Sequence, residues 1–446
     1  GKMSKSKTKQ PKRKKLPLTK EQKGARAILG VSIVLIILLF IALTFAVGLI
    51  LNAEGVDAVE DQISNYKPVA YGSDRLVPVK DESGYWTYTT DRDLKVMQLT
   101  DVHIGGGLLS VKQDLWAVNA VASMISAEKP DLVIVTGDIA FPVPYSSGTF
   151  NNLNATRIFT KLMEKLGVYW TFTFGNHDTE VYSYFTREEI SDYYEKAIAN
   201  GELTRCLYQR GPKDVAGYGN SVIKVKNSRG VVTQALVTLD SHSYTNGDAL
   251  GVLWKYDNLH QDQIDWFVKN MQAINADNKK IDATVGAVKS LAFFHIALPE
   301  YRDAYKEYYE NGKKNTERVT YAYGNMGESM RKNSEGVETY GVFCGMGQDE
   351  FFEQGSANGL QGVFCGHDHY NNFSLFYTKD GHTVRLTYGM SIDYLAYPII
   401  WKKANQRGCT LITVSPDGTF DCASSSYYQE KYKPDDEAKF SSEEKK

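Results

Sequence analysis

From Ala27 to Leu51 the chain carries no charge; Ile, Leu, Val and Phe predominate, and only Ser32 and Thr44 bring a polar side chain. Such a run spans the roughly 30 Å hydrocarbon layer as a helix. A helix in a soluble core would show polar positions every few residues. Residues 52–84 are mixed and weakly patterned, and read as a stalk. Beyond them the pattern becomes regular. Tyr85 to Thr90 and Leu94 to Leu99 predict two strands of a hairpin around Asp91-Arg92-Asp93. Apolar residues at helical spacing follow over Leu115 to Ala127. Leu132 to Val135 is a continuous apolar run, as expected of a strand covered on both faces. Ile158 to Leu166 reads as helix and Tyr169 to Phe174 as strand, completing layered strand–helix–strand units.

The second half is richer in strands. Gly219 to Val225 and Thr233 to Leu239 alternate like paired strands, and Asp262 to Ile274 predicts an amphipathic helix. Leu291 to Phe294, Gly362 to Cys365, Thr383 to Tyr388 and Thr410 to Val414 complete a sheet. The last of these turns at Pro416-Asp417-Gly418 toward Thr419 to Asp421. Tyr301 to Gly359 is long, polar and rich in Tyr, Lys, Glu and Gly, and reads as a partly helical excursion over the site. Residues 431–446 form a charged tail with few apolar positions, expected to be disordered.

Charge adds topology. The net charge of −2 hides a basic N-terminus (Lys12, Arg13, Lys14, Lys15) and an acidic remainder, which argues against nucleic-acid binding. Basic residues precede the apolar run, whereas Glu54, Asp57, Glu60 and Asp61 follow it. The positive-inside rule therefore puts residues 1–26 in the cytoplasm, 27–51 across the cell membrane in contact with lipid as a single-pass signal anchor, and the body at 85–430 outside. A cleaved signal peptide is the alternative, although its apolar region is usually about 7–15 residues. Five cysteines make no disulfide framework. Cys409 and Cys422 flank the last hairpin and are candidates for a cross-strand pair. Cys365, beside a histidine motif, reads as a small buried hydrophobe.

Five of the eight histidines fall within one ordered set of motifs: Asp101-Val102-His103, Gly137-Asp138, Gly175-Asn176-His177-Asp178, Phe294-His295 and Gly366-His367-Asp368-His369. Each follows an apolar stretch, so each sits where a strand gives way to a loop, the place where a rigid scaffold aims chemistry. Carboxylates, an amide and neutral imidazoles suit two hard divalent ions about 3.5–4 Å apart, with one carboxylate shared. An unbound imidazole beside them can protonate a leaving group. Any one motif is ordinary alone. Their joint order is what carries the reading. Of the other histidines, His242 is a candidate for the pocket lining, whereas His260 and His382 read as surface residues. Asn220 reads as a turn or substrate-contacting residue.

These blocks resemble the calcineurin-like metallophosphoesterase superfamily, over roughly residues 85 to 425. The resemblance implies a four-layer α/β/β/α sandwich, an α/β (α+β) fold preceded by one transmembrane helix; the alternation of elements agrees with that layering. It further implies that Asp101, His103 and His369 hold one metal, that Asn176, His295 and His367 hold a second, and that Asp138 bridges them. His177 would be the general acid, oriented by Asp178, for in-line attack of a metal-activated hydroxide on a phosphate-ester substrate. A phosphomonoester is favoured, with phosphodiester cleavage as the near alternative and a non-catalytic metal-binding module as the third.

Gly217-Tyr218-Gly219-Asn220, Leu239-Asp240-Ser241, the segment from Phe294 to Tyr301, and Asn372-Phe373 after the last histidine block look like the purple-acid-phosphatase-like group of plants and fungi. One departure stands out. True purple acid phosphatases carry a tyrosine three residues after the bridging aspartate; Phe141 stands there, and His103 replaces a glycine. The resemblance therefore implies a colourless Mn, Fe, Zn or Mg centre. The substrate is left open, since nucleotides, sugar phosphates, phospholipid or undecaprenyl-type head groups, teichoic-acid fragments and phosphoproteins all present the same phosphoryl group, and so is the oligomeric state.

Overall fold

A computed structural model describes residues 17–325, 332, 336, 338–397, 407–427 and 432. The first sixteen residues, and the expected tail 431–446 apart from Tyr432, lie outside them. The chain forms two compact units, residues 1–51 and 52–446. Within the first, helix α1 (Lys20–Asn65) begins, and it is long and apolar enough to cross a membrane. Its large apolar side chains from Ile28 to Ile50 are exposed rather than packed against protein.

In the second unit the chain passes through β1 (Val79–Lys80), β2 (Trp86–Thr89), β3 (Leu94–Leu99), α2 (Val111–Glu128), β4 (Leu132–Thr136), α3 (Pro144–Ser147), α4 (Asn152–Leu166), β5 (Trp170–Thr173) and α5 (Arg187–Ala199). It continues through β6 (Ser221–Lys226), β7 (Val232–Thr238), α6 (Gln261–Ile281), β8 (Lys289–Phe293), α7 (Pro299–Glu310), β9 (Val319–Tyr323), α8 (Phe351–Ala357) and β10 (Leu360–Cys365). β11 (Ser374–Lys379), β12 (His382–Tyr388), β13 (Gly408–Val414) and β14 (Phe420–Ser426) complete it. The strands form two mixed sheets, ordered β1-β2-β6-β7-β8-β10-β12-β11-β9 and β14-β13-β3-β4-β5. β3, β4 and β5 run parallel, as do β7, β8, β10 and β12.

The continuous apolar runs explain the layering. In β4, Leu132 and Ile134 enter a cluster shared with Leu236, Leu291 and Phe364 of the other sheet. Val133 and Val135 enter a cluster with residues of α2 and α4. In β8, Leu291 and Phe293 face the smaller sheet, whereas Ala292 packs toward Phe267 of α6 and Tyr301 of α7. Side chains alternate across a strand, so both faces are covered and the order is helix, sheet, sheet, helix. Such parallel strands must be apolar throughout. The mixed α/β sandwich expected from the sequence is the observed one.

Three local expectations change. β2 and β3 do not form a hairpin: β2 pairs parallel with β6 in the larger sheet, and β3 joins β4 and β13 in the smaller. Arg92, between them, is fixed by both oxygens of Asp131, at 2.8 and 2.9 Å, where the chain changes sheets. β12 and β13 likewise belong to different sheets. Residues 52–84 are not a free stalk. Gly55, Val59 and Ile63 are buried on the last turns of α1, Val69 N–H donates to Leu166 O at 2.9 Å, and Tyr71 Oη donates to Pro130 O at 2.6 Å.

The final hairpin forms as expected, but Cys409 pairs with Ser425 and Cys422 with Ile412. An offset of three residues puts the two thiols on opposite sheet faces, one in each of two core layers. All five cysteines are free and buried.

Candidate metal centre

Every motif sits where a strand ends at one edge of the sandwich. Asp101 and His103 follow β3, Asp138 follows β4, Asn176 and His177 follow β5, His295 follows β8, and His367 and His369 follow β10. The backbone bends sharply there. Asp101, His103, Asp138 and His367 have φ of 50°, 54°, 55° and 75°, a left-handed conformation uncommon for residues with a Cβ and concentrated at functional sites. Gly175 has no side chain because a Cβ would collide with the Asp138 carboxylate. Gly137, at φ 89°, brings the chain so near His295 that a Cβ would lie 2.5 Å from its Nδ1.

The donor atoms converge in two groups. In the first, His369 Nε2 lies 3.0 Å and His103 Nε2 3.9 Å from Asp101 Oδ1, and His103 Nε2 lies 3.3 Å from Asp138 Oδ2. These four residues can each bring one ligand atom within 4.8 Å of the others. In the second, Asn176 Oδ1 lies 3.1 Å from His295 Nε2 and 3.0 Å from His367 Nδ1, and His295 Nε2 lies 3.1 Å from Asp138 Oδ2. Asp138 Oδ2 therefore belongs to both. All seven predicted ligands are brought together, with His177 beside them: its backbone N–H donates to Asp138 Oδ1 at 2.8 Å.

The donor set fits divalent metal. Asp101 Oδ1 is buried and makes no aligned hydrogen bond although an imidazole nitrogen is 3.0 Å away. That is the geometry of lone pairs aimed at a common third point. Burial pushes the carboxyls of Asp101, Asp138 and Asp393 up, but the imidazoles facing them, chiefly His369, His295 and His103 respectively, pull each below the ordinary carboxylate range. Three ionised carboxylates in one water-poor spot require compensating positive charge. Burial lowers the His103 imidazole while Asp393 and Asp138 raise it, to about 9, and His369 is raised well above its ordinary value by Asp101 and Asp393 against the same burial.

Two residues without motifs complete the site. Asp393, after β12, places Oδ1 3.1 Å from His103 Nδ1 and Oδ2 3.1 Å from His369 Nδ1. The His369 contact is one of charge without hydrogen-bond alignment, whereas the His103 contact is a hydrogen bond, and a proton held on that Nδ1 leaves Nε2 free to bind metal. His295 is fixed in the same way, its Nδ1 lying 2.8 Å from Thr136 O. The Asp393 loop is itself clamped: its carboxylate accepts N–H groups of Leu395, Ala396 and Tyr397, and buried Arg407 donates to the carbonyls of Ile392 and Asp393.

Glu180 is the second. His177 Nδ1 lies 2.9 Å from Glu180 Oε1, a charge contact without hydrogen-bond alignment. Tyr244 Oη donates to the same oxygen at 2.9 Å and accepts from Asn176 Nδ2 at 3.0 Å. Asp178, expected to orient His177, faces elsewhere. Its carboxylate accepts the backbone N–H groups of Asp138, Ala140 and Gly175. It staples the two strand-end loops together, and burial first, then the Asp138 charge, pushes it up to about 6.

A profile of calcineurin-like phosphoesterases matches residues 94–371. The chain belongs to that family. Within this phosphoesterase family it is homologous to purple-acid-phosphatase-like proteins. It is 26% identical over 331 residues to the Arabidopsis thaliana protein named "Probable inactive purple acid phosphatase 29", covering 70% of this chain and 74% of that protein. It is 25% identical over 342 residues to Phosphatase DCR2 of Saccharomyces cerevisiae, covering 72% of this chain and 50% of that protein. Phe141, at the position where the resemblance expects a tyrosine, stacks on His103 with ring centroids 4.8 Å apart and meets His177 edge-on at 4.8 Å.

The opening above the donors is walled by Trp254, Tyr256, Phe343, Tyr370 and Tyr397. Of the excursion over 301–359, Phe343 reaches this wall; residues 326–331, 333–335 and 337 lie outside the described ones. His242 does not line it. It hydrogen-bonds Gln263 and stacks on His260 at 4.0 Å, and His260 is engaged by Asp257. These three residues, partly exposed, can each bring one ligand atom within 4.8 Å of the others, but none of them lines the pocket above the donors. Asn220 is a loop staple, joining Asp240 N, Gln263 Nε2 and Ala216 O.

Proposed function

We propose that this phosphoesterase is a membrane-anchored phosphatase that hydrolyses phosphomonoesters at a centre for two divalent metal ions. Asp101, His103 and His369 hold one ion, Asn176, His295 and His367 the other, and Asp138 bridges them. The observation that carries the reading is the position of Asp138 Oδ2, 3.3 Å from His103 Nε2 and 3.1 Å from His295 Nε2, shared by both donor groups. When bound, such a metal pair supplies positive charge for the phosphoryl oxygens and makes a trapped water acidic enough to attack phosphorus in line.

The chain's own residues do the rest. Thr136 O fixes the tautomer of His295 and Asp393 that of His103. His177, with about a quarter of its side chain exposed, faces the opening and donates a proton to the departing alkoxide oxygen. Glu180, 2.9 Å from its Nδ1, holds the ring in place. The apolar helix at 27–51 tethers the catalytic unit on the extracytoplasmic side, with the basic N-terminus in the cytoplasm.

The test uses the full chain in phosphatidylcholine nanodiscs, stripped of metal and reloaded with Mn²⁺. Turnover of p-nitrophenyl and benzyl phosphate is expected in the wild type, with loss of both in Asp138→Asn and loss of benzyl phosphate turnover in His177→Ala. A preference for bis-p-nitrophenyl phosphate would make the protein a phosphodiesterase. Two bound metals with no turnover of either would make it a binding module.

A further inference from the structure

Beside the metal centre the segment from Tyr244 to Tyr256 forms a small self-supporting loop. Tyr244 and Tyr256 bridge its base with rings 5.8 Å apart, and Thr245 N–H donates to Lys255 O at 2.7 Å. Asp248, buried inside, accepts the N–H groups of Leu253 at 3.1 Å and Lys255 at 3.0 Å, and Gly251 N–H donates to Asp248 O at 2.9 Å. Gly251 lies directly on the Tyr244 ring, where a Cβ would collide. The loop is thus held from within by polar groups, yet its outward side chains are apolar. Leu250, Val252, Leu253 and Trp254 are 64%, 71%, 45% and 41% exposed.

A soluble surface rarely spends four of five consecutive positions in this way unless something apolar is met there. Trp254 connects the loop to the chemistry. Its backbone is left-handed, at φ 57°, an unfavourable conformation for so bulky a residue. Its indole meets Phe343 edge-on at 6.1 Å and forms part of the pocket wall above His177, His367 and His369. Among the described residues lining that pocket none is Lys or Arg, so a second phosphate would find no cation.

We propose that this loop is a subsite for an aliphatic chain, and that the substrate class is the phosphate monoester of a long-chain alcohol or lipid. The chain leaves the phosphoryl group across the Trp254–Phe343 pair and runs over Leu253, Val252 and Leu250. Aliphatic side chains beyond the aromatic wall favour an extended alkyl group over a single ring. The inference rests on the phosphomonoesterase reading and extends it.

The full chain in phosphatidylcholine nanodiscs, loaded with Mn²⁺, would be assayed with ethyl, butyl and octyl phosphate. Their alcohols are similarly poor leaving groups, so kcat/KM reports contact with the chain. Octyl phosphate is expected to exceed ethyl phosphate by roughly tenfold or more, since each buried methylene contributes severalfold. Val252→Ser with Leu253→Ser, both at exposed positions that no core depends on, and separately Trp254→Ala, should each cut that ratio at least threefold. Equal kcat/KM along the series, or benzyl phosphate preferred over all three, would overturn the proposal. Calorimetric binding of octylphosphonate against ethylphosphonate gives the same comparison without turnover; equal affinity overturns it, and tenfold tighter octyl binding supports it. Loss of all turnover, p-nitrophenyl phosphate included, with that binding preference intact would overturn only the phosphatase reading. Phosphatidate placed in the nanodisc separates the sources: its hydrolysis identifies a bilayer substrate, and hydrolysis of octyl phosphate alone a dissolved one.

Discussion

The chemistry of this site is set by which atom of each side chain is left free. In the proposed reaction His177 would hold its outer nitrogen toward the leaving group, with its Nδ1 2.9 Å from Glu180. Glu180→Gln keeps the shape but removes the carboxylate that meets Nδ1. An alkoxide leaves only if protonated, whereas p-nitrophenolate leaves unaided. We therefore expect kcat for benzyl phosphate to fall about 10–100-fold in Glu180→Gln, part of the full value of a general acid, and that for p-nitrophenyl phosphate to fall less than about threefold. Equal losses on the two substrates would make Glu180 a merely structural residue. Asp393 acts on metal instead. Its carboxylate reaches His103 and His369 at once, so Asp393→Ala should weaken Mn²⁺ binding about 10–100-fold, read by calorimetry on the stripped protein. The seven ligand candidates were legible because each lies in a short motif after an apolar run, three of the five motifs being marked by a glycine. Asp393, Glu180 and Tyr244 were not, since a buried carboxylate or phenol reveals its role only through what folds against it. One clue existed: Asp393, like the ligands, closely follows an apolar strand.

At the scale of elements, the turn from β3 into α2 shows how the first ligand loop is held. Asp114, on the first turn of α2, accepts Gly105 N–H at 2.8 Å, Gly106 N–H at 3.0 Å and Ser110 Oγ at 2.8 Å. It is almost completely buried, and burial pushes its carboxyl up to about 7 despite those donors. A carboxyl raised in the folded state binds a proton that the unfolded chain has already lost. Its contribution is therefore complete below about pH 4 and fades as pH rises through about 7, a loss of about 4 kcal/mol for a shift of that size. Asp114→Asn cannot ionise. Between pH 4.5 and 7.5 the midpoint of thermal unfolding should fall more steeply in the wild type than in Asp114→Asn, and parallel curves would show that Asp114 does not titrate there. Element type was largely readable from periodicity, as in β4, β8 and α6. Pairing was not: the apolar strand β2 and its neighbour β3 look like a hairpin, and nothing in their residues says that they enter different sheets. The same holds for Cys409 and Cys422, whose separation depends on a register fixed by the turn between them.

At the scale of the whole molecule, the doubly buried strands already implied two covered sheets, while the resemblance supplied their stacking. The segment after the apolar run was misread for a physical reason. Glu54, Asp57, Glu60 and Asp61 make residues 52–65 look like a solvated spacer, but Gly55, Val59 and Ile63 recur every fourth position and form one buried stripe. Gly55 comes so close to the turn before α2 that a Cβ would lie 3.0 Å from Val111 Cγ2 and 3.1 Å from Leu108 Cα. Ile63 is fully buried in the cluster that backs the smaller sheet. These turns therefore belong to the fold that aims Asp101 and His103, and Ile63→Ala should destabilise the catalytic unit by about 2–5 kcal/mol. Leu38→Ala, on the exposed apolar part of α1, removes a similar side chain that packs on no protein. It should change the same quantity by less than about 0.5 kcal/mol. Urea unfolding of both variants in nanodiscs, followed by tryptophan fluorescence, separates the two roles of this one helix. Equal, small effects would mean that residues 52–65 are a spacer after all.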